Sequence, residues 1–272
     1  MTPVPVVHNA GFMLGVFLAN GIGCVLAVFC LVRMADKRRS TGNRALLVFA
    51  AAWAVIETAR DDALFVVATA VHLRDDQVRF VLLPGFGLTV VAMLIAVAAF
   101  GVAATWPRPV WTVTAGVTVG LLTAAMIVDS CLAGHTGFAE SVDAPRAAAI
   151  AVGLAAVFGA AVRLATGATE RWAMASTILG LAATLTAGQY LMAGQVTVDT
   201  TTATATDTGV DSIRLLLFTT IAFGIRTILL TLMSLADDDR GDRPGRPGGR
   251  ADPRDRLDPG RPGERWSLAL SR

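Results

Sequence analysis

Seven long apolar stretches divide the chain, and each has about the length that a helix needs to cross a bilayer. A spanning helix takes roughly 20 mostly apolar residues at a rise of about 1.5 Å each. The stretches are residues 11–33, 45–72, 79–101, 111–131, 146–165, 172–193 and 213–235. Their apolar residues run on without alternation, which indicates helices and not barrel strands. We therefore predict an all-α polytopic membrane protein, a seven-transmembrane-helix bundle.

The segments outside these stretches have a different character. Hydrophobic residues make up 54% of the chain and charged residues only 16%, and much of that charge falls in the tail at 237–272. The tail repeats Arg, Asp, Gly and Pro, so it buries too little apolar surface to offset the entropy of ordering. We predict a transmembrane domain at 1–236 and a disordered cytoplasmic tail. The Thr-rich connection at 194–212 is predicted as a mobile external loop or a short β ribbon.

Positive charges fall on alternate connections. The connection after the first stretch holds five basic residues against one Asp: Arg33, Lys37, Arg38, Arg39 and Arg44. Arg108, Arg163 and Arg171 continue the pattern on every second connection, and the tail is rich in Arg. Basic connections favour the cytoplasmic side of the membrane. The expected protein is a multi-pass cell-membrane protein with its N-terminus outside and its C-terminus in the cytoplasm.

The second stretch carries charged residues inside the expected bilayer. Glu57, Arg60 and Asp61 have helical spacing and share one face, and Asp62 lies beside them. Counted from Ala45, Glu57 would lie about 18 Å above the inner end of the helix. A charged side chain at that depth costs a few kcal/mol unless it is paired or hydrated. Either one long helix or a span followed by an interfacial segment fits this stretch.

Polar residues of other stretches fall at a similar depth. We predict an outward-facing polar cavity between helices 2, 3, 4 and 6, with Pro84 and Gly85 loosening the outer part of helix 3. Its candidate ligand-binding residues are Glu57, Arg60, Asp61, Asp62, Asp129, Gln189 and Tyr190. For Asp129 and Tyr190, a simple helix-end position in the headgroup region is the favoured alternative.

Arg226 is a charged residue inside the seventh stretch, where its burial in the bilayer costs free energy. It lies nine residues before Leu235, or about 14 Å from the inner end, which is within about one helical turn of Glu57 in depth. We predict a structural intramembrane pair between Glu57 and Arg226, because removing one partner would leave the other buried and uncompensated.

Pairs of glycines at four-residue spacing allow helices to approach closely. One pair, Gly11 and Gly15, lies in the first stretch, and another, Gly116 and Gly120, lies in the fourth. We predict that they serve packing inside the bundle, with homodimerisation as the alternative.

The residue types present in the chain argue against several cofactors. Covalent retinal needs a lysine in the seventh helix, but the chain has a single lysine, Lys37 in a connection, and Arg226 does not form a Schiff base. Haem between helices needs well-placed histidines. His72 and His135 both fall near the outer surface. We therefore predict no bound cofactor.

The remaining motifs exclude further chemistry. Cys24, Cys30 and Cys131 lack CxxC spacing and are predicted to be small buried hydrophobes, not metal ligands. No Walker loop, HExxH, nucleophile elbow or EF-hand spacing occurs, and nothing supports binding of nucleic acid. No metal site and no catalytic residue set is predicted.

Three functions remain open. The first is a sensory or receptor-like seven-helix module or membrane subunit, in which a cytoplasmic or membrane signalling protein supplies the output that the short tail cannot. The second is a small cation- or proton-coupled transporter or channel that uses Glu57, Asp61, Asp62 and Asp129. The third and least favoured is a membrane-embedded enzyme on a lipophilic substrate, with Glu57 or Asp61 as the acid.

Overall fold

The computed structural model divides the chain into two compact units, Met1–Leu230 and Thr231–Arg272. The structure describes residues 2–3, 9–34, 41–70, 83–133, 139–167, 171–199, 214, 217, 219–222, 224–229 and 232. The predicted disordered tail at 237–272 lies outside these residues, and so does the 200–212 part of the Thr-rich connection.

Helices make up nearly all of the described chain. They are α1 (Ala10–Met34), α2 (Thr41–Ala70), α3 (Leu83–Thr105), α4 (Pro109–Ala133), α5 (Ala144–Gly167), α6 (Arg171–Ala193) and α7 (Thr219–Leu229). Four helices are long and apolar enough to cross a membrane: α1, α3 from Gly85, α4 and α5. The prediction of a helical protein of membrane type is confirmed to this extent.

The second stretch forms one continuous helix. α2 is 30 residues long, or about 45 Å, and therefore exceeds the roughly 30 Å of a bilayer core. Its charged residues at 57–62 interrupt the apolar sequence but not the helix. Of the two alternatives for this stretch, the single long helix is correct.

The third helix differs from its prediction at both ends. α3 ends at Thr105, four residues later than predicted, because the apolar residues continue and Pro107 then disfavours helix in the residue before it. Pro84 lies in the first turn, where a missing backbone N–H costs no helical hydrogen bond. The expectation that Pro84 loosens the outer part of helix 3 is therefore wrong.

The glycine pair of α4 brings two backbones together. A Cβ added at Gly116 would lie 2.7 Å from Gly159 Cα in α5, and one added at Gly120 would lie 2.7 Å from Ala155 Cα. These glycines pack α4 onto α5 inside the bundle, as predicted. In α1, by contrast, a Cβ added at Gly15 would meet no atom within 4 Å.

Apolar side chains fill the interior. Cys24, Cys30 and Cys131 are buried, which confirms their assignment as buried hydrophobes. α1 and α2 run antiparallel, with Phe12 against the edge of Phe65 at a ring-centroid distance of 6.4 Å near one end. This arrangement brings the polar residues of α2 to the start of α1.

A small antiparallel sheet joins three separate segments beside the helix ends. Its strands are β1 (Thr2–Pro3), β2 (Ala139–Val142) and β3 (Val196–Asp199), in the order β1-β3-β2. The Ser141 and Thr197 hydroxyl oxygens lie 2.7 Å apart across the β2–β3 pair. The all-α prediction missed β1 and β2, whereas β3 agrees with the ribbon alternative for the Thr-rich connection.

Candidate functional site

A buried ion pair links α2 to α7. Arg226 is 1% exposed, and its Nη2 lies 3.2 Å from Asp62 Oδ1. Its Nη1 donates a hydrogen bond of 2.7 Å to Thr58 Oγ1. Thr58 and Asp62 are four residues apart, so both point to the same side of α2. A guanidinium that bridges them fixes the position of α7 against this face.

The predicted pairing of Glu57 with Arg226 is wrong, because Asp62 is the acidic partner. The prediction rested on depth, and depth does not determine which side of a helix a residue occupies. Glu57 lies next to Thr58 in sequence and is therefore rotated by about 100° around the helix axis. Asp62 is one helical turn beyond Thr58 and therefore points to the same side of α2 as Thr58.

The other charged residues of α2 form a second face. Four charged neighbours act electrostatically on the buried Asp61: Glu57, Arg226, Asp62 and Arg60. Ser130 of α4 donates a hydrogen bond of 3.3 Å to the Arg60 carbonyl, which brings α4 next to this part of α2. The cluster has three carboxyl groups, those of Glu57, Asp61 and Asp62, and two guanidinium groups, those of Arg60 and Arg226.

Asp129 belongs to the contact between α4 and α3. A Cβ added at Gly85 would lie 2.6 Å from Asp129 Oδ2, so this carboxylate reaches the backbone of α3 at the glycine. Gly85 is in the first turn of α3, where unpaired backbone N–H groups favour a negative charge. The position of Asp129 therefore fits a helix-end role.

Gln189 takes part in a buried polar contact between α1 and α6. Asn20 Nδ2 donates hydrogen bonds of 2.9 Å to Thr186 Oγ1 and to Gln189 Oε1. Asn20 and Gln189 are both fully buried, as is most of Tyr190. Sequence reasoning missed Asn20, although an amide in the middle of an apolar run was the available signal.

A cavity of about 180 Å³ lies between α1, α2 and α7. Its wall includes Gly15, Val16 and Ala19 from α1, Asp62 and Phe65 from α2, and Thr219 and Thr220 from α7. Among the described residues, Asp62 Oδ2 is buried and has no hydrogen-bond partner. An engineered apolar cavity of about 150 Å³ holds benzene, so this space admits a small molecule.

The location of this cavity differs from the prediction, which placed one between helices 2, 3, 4 and 6. Of the seven predicted ligand-binding residues, Asp62 is the member on its described wall. Gln189 bonds to Asn20, and Asp129 packs at Gly85 instead. The sequence showed the depth of the polar groups, but the neighbours of each helix depend on tertiary packing.

Beyond the charged cluster the interface between α1 and α2 becomes apolar. In the part of α1 from Gly23 to Met34, and in the part of α2 that precedes Thr58, every described buried side chain is apolar. No polar path through the α1–α2 interface is therefore present in the described part of the chain.

No described group of three or more His, Cys, Asp or Glu residues could hold a metal ion. His72, His135 and Lys37, on which the cofactor predictions depended, lie outside the described residues. In α7, Arg226 occupies the interior and is held by Asp62 and Thr58.

No protein-family model, curated protein or solved structure matches this chain.

Proposed function

We propose that this chain is a seven-span, multi-pass protein of the cell membrane that acts as a sensory or receptor-like binding module. The cavity between α1, α2 and α7 is its ligand site, and it takes a small molecule with an apolar body and a cationic group. Asp62, a buried carboxylate on the cavity wall whose Oδ2 has no hydrogen-bond partner among the described residues, is the observation that carries this proposal.

Lipid-facing side chains support the placement in a bilayer. Leu94, Val152 and Leu179 belong to three different helices, and each is between 58% and 66% exposed. Such large exposed apolar side chains on several helices are unusual in a soluble monomer and ordinary next to lipid. The alternating basic connections then orient the cavity to the outer half of the bilayer.

The electrostatics of the cluster support the ligand class. Asp62 Oδ1 accepts from Arg226, and Oδ2 has no hydrogen-bond partner among the described residues. The Asp62 carboxyl group on the cavity wall favours a cation over an anion. Val16, Ala19 and Phe65 offer the apolar contact. A small hydrophobic ammonium compound meets all three conditions.

The apolar interior beyond Thr58 supports a binding module over an open channel. Cation- or proton-coupled transport remains the second candidate, because Asp61 and Asp62 are both buried carboxylates within the same turn of α2. Transport would require the apolar contacts around Leu47 and Leu31 to open. Proton uptake by vesicles that is abolished in Asp61→Asn would favour this second function.

The cavity can be tested with a chemical probe and two glycine variants. Benzylammonium should raise the thermal midpoint of the detergent-purified protein, whereas benzyl alcohol, of similar shape but uncharged, should not. Gly15→Leu fills the cavity without a clash and should abolish the effect. Gly21→Leu is the control, since Gly21 does not line the cavity and has equally open space at its Cβ position.

Two results would contradict the proposal. An equal response to benzyl alcohol would remove the role of the Asp62 carboxylate. A response to benzylammonium that persists in Gly15→Leu would place the probe elsewhere. Native mass spectrometry of the protein purified from its own membrane would then identify the natural ligand by its mass.

A further inference from the structure

Two adjoining cavities lie at the opposite end of the bundle, where α1, α3 and α5 end and α2 begins. The polar chamber, of about 540 Å³, is lined by Arg44, Thr105, Arg163 and Thr166 among others. The apolar groove, of about 460 Å³, is lined by Ala45, Val48, Val97 and Gly101 together with Arg44. Arg44, Ala104 and Thr105 line both, so the two cavities are direct neighbours.

Exposed tryptophans mark this end as a membrane interface. Trp106 follows α3, Trp111 begins α4 and Trp172 begins α6, and their side chains are 55%, 43% and 85% exposed. Tryptophan concentrates at the headgroup level of bilayers. The polar chamber includes Thr105, the neighbour of Trp106, and so lies at the depth of lipid phosphates.

The chamber carries the chemistry of a phosphate site. Arg44 from α2 and Arg163 from α5 line it, and its described wall contains no carboxylate. A guanidinium presents several N–H donors to a phosphate and is the preferred side chain for that contact. Arg163 is exposed, and its Nη1 would lie 2.9 Å from a Cβ added at Gly167, so the side chain extends along the last turn of α5.

The groove continues from the chamber toward the middle of the bundle. Thr105, Gly101 and Val97 succeed one another at intervals of four residues along one face of α3, over about 12 Å. A Cβ added at Gly101 would meet no atom within 4 Å, so the absence of a side chain there keeps the groove open. An apolar groove that begins at a phosphate site has the shape of a lipid acyl chain and its headgroup.

We propose that the chamber and the groove together bind one anionic phospholipid, with its phosphate between Arg44 and Arg163 and an acyl chain along α3. The two arginines of the described wall favour an anionic lipid over a zwitterionic one. This site rests on the placement of the bundle across a bilayer that is proposed above, and it is independent of the ligand in the outer cavity.

The test measures lipid retention by native mass spectrometry, with phosphatidylglycerol or phosphatidylcholine added to the detergent-purified protein. One phosphatidylglycerol should remain bound, at least tenfold more tightly than phosphatidylcholine. Arg163→Gln should weaken phosphatidylglycerol binding by about tenfold, the equivalent of about 1.4 kcal/mol. Arg146→Gln, at the other end of α5 and exposed, is the matched control and should bind normally.

A second pair of variants tests the groove. Gly101→Leu should reduce phosphatidylglycerol binding, whereas Gly87→Leu, on the same helix with equally open space, should not. Glycerol 3-phosphate, which has the phosphate but no acyl chain, should raise the thermal midpoint far less than the lipid. An equal effect of glycerol 3-phosphate that survives in Gly101→Leu would overturn the lipid assignment in favour of a free phosphate.

Equal retention of both lipids, or normal binding by Arg163→Gln, would overturn the site itself. The Gly15→Leu variant of the outer cavity should retain phosphatidylglycerol. Failure at one end of the bundle is therefore distinguishable from failure at the other.

Discussion

Arg226 Nη2 lies 3.2 Å from Asp62 Oδ1, and the two side chains are 1% and 7% exposed. Each residue would be costly alone in this interior, because desolvation of a charge without a partner takes several kcal/mol. Thr58 Oγ1 accepts a second bond from the same guanidinium and so adds a neutral partner to the pair. The pair therefore specifies how α7 is seated on α2.

Breaking this pair should be more costly than removing it entirely. We expect Asp62→Asn and Arg226→Gln each to lower the free energy of unfolding by about 3 kcal/mol, because the remaining charge stays buried. The double variant should lose less than the sum by at least about 1 kcal/mol. Reversible unfolding in SDS measures all four proteins of the cycle.

The surface pair of Asp143 and Arg146 is the matched control for that cycle. Its Nε–Oδ2 distance of 3.3 Å is similar, but its side chains are 38% and 74% exposed. The coupling in this second cycle should be below about 0.5 kcal/mol. Equal coupling in the two cycles would show that burial does not strengthen the Asp62–Arg226 pair.

Gly23 should tolerate no side chain, because α1 crosses α2 at that point. A Cβ added there would lie 2.9 Å from Thr58 Cβ and would also press on Thr58 Oγ1, the acceptor for Arg226. Gly23→Ala should therefore cost about 1–3 kcal/mol through overpacking. Gly21→Ala, in open space two residues away, should be neutral or stabilising, and thermal melts of the two variants compare them directly.

The buried contact between α1 and α6 predicts a difference between two threonines. Thr186 accepts a hydrogen bond from the buried Asn20, whereas the half-buried Thr184 bonds to the Gly180 carbonyl of its own helix. Thr186→Val should cost about 1 kcal/mol more than Thr184→Val, because it removes one of the acceptors of Asn20. Equal melting temperatures would mean that the amide finds another partner.

The close approach of α4 and α5 predicts a similar contrast between glycines. Gly120→Ala would place its Cβ 2.7 Å from Ala155 Cα, a backbone atom that cannot rotate away. Gly153→Ala would meet nothing within 4 Å. The first change should lower stability by about 1–3 kcal/mol and the second should not, as measured by SDS unfolding. A neutral Gly120→Ala would show that the two helices can separate without cost.

The proposed orientation can be checked by labelling two positions on either side of α4. In a variant with Cys24, Cys30 and Cys131 changed to Ala, a cysteine at Arg146 should react with a membrane-impermeant maleimide on intact cells. A cysteine at Arg108 should react only after the cells are permeabilised, because basic connections stay in the cytoplasm. The reverse pattern would invert the bundle, and labelling of both positions would mean that α4 does not cross.

The existence of α1–α6 and most of their bounds could be predicted from the apolar stretches, because long apolar runs of this kind form helices. Of the predicted seventh stretch, 213–235, the structure describes the shorter helix Thr219–Leu229. The approximate positions of the charged residues along the helix axes could be predicted by counting residues in each stretch. Arg226 pairs with an acidic residue of α2, as this counting suggested. The identity of that partner could not be predicted. Glu57 and Asp62 are both near enough in depth, and the choice between them depends on how α7 packs.

The packing neighbours of each helix could likewise not be predicted from the sequence. Gln189 was placed in a cavity with Asp62, but α1 lies against α6 and gives Gln189 the amide of Asn20 as its partner. The cavity that does exist needs α1, whose Gly15 and Ala19 are unremarkable in an apolar run. Small residues leave space only where the adjoining helices fail to fill it, which no single stretch reveals.

The three-stranded sheet has a mechanical consequence for the proposed sensor. β3 is the middle strand and follows α6 directly, while its two neighbours lead into α1 and α5. An axial shift of α6 would have to pull both neighbouring strands along or break their backbone hydrogen bonds. The sheet thus holds three segments together at one end of the bundle, and ligand-driven movement should be smaller at that end than at the opposite one.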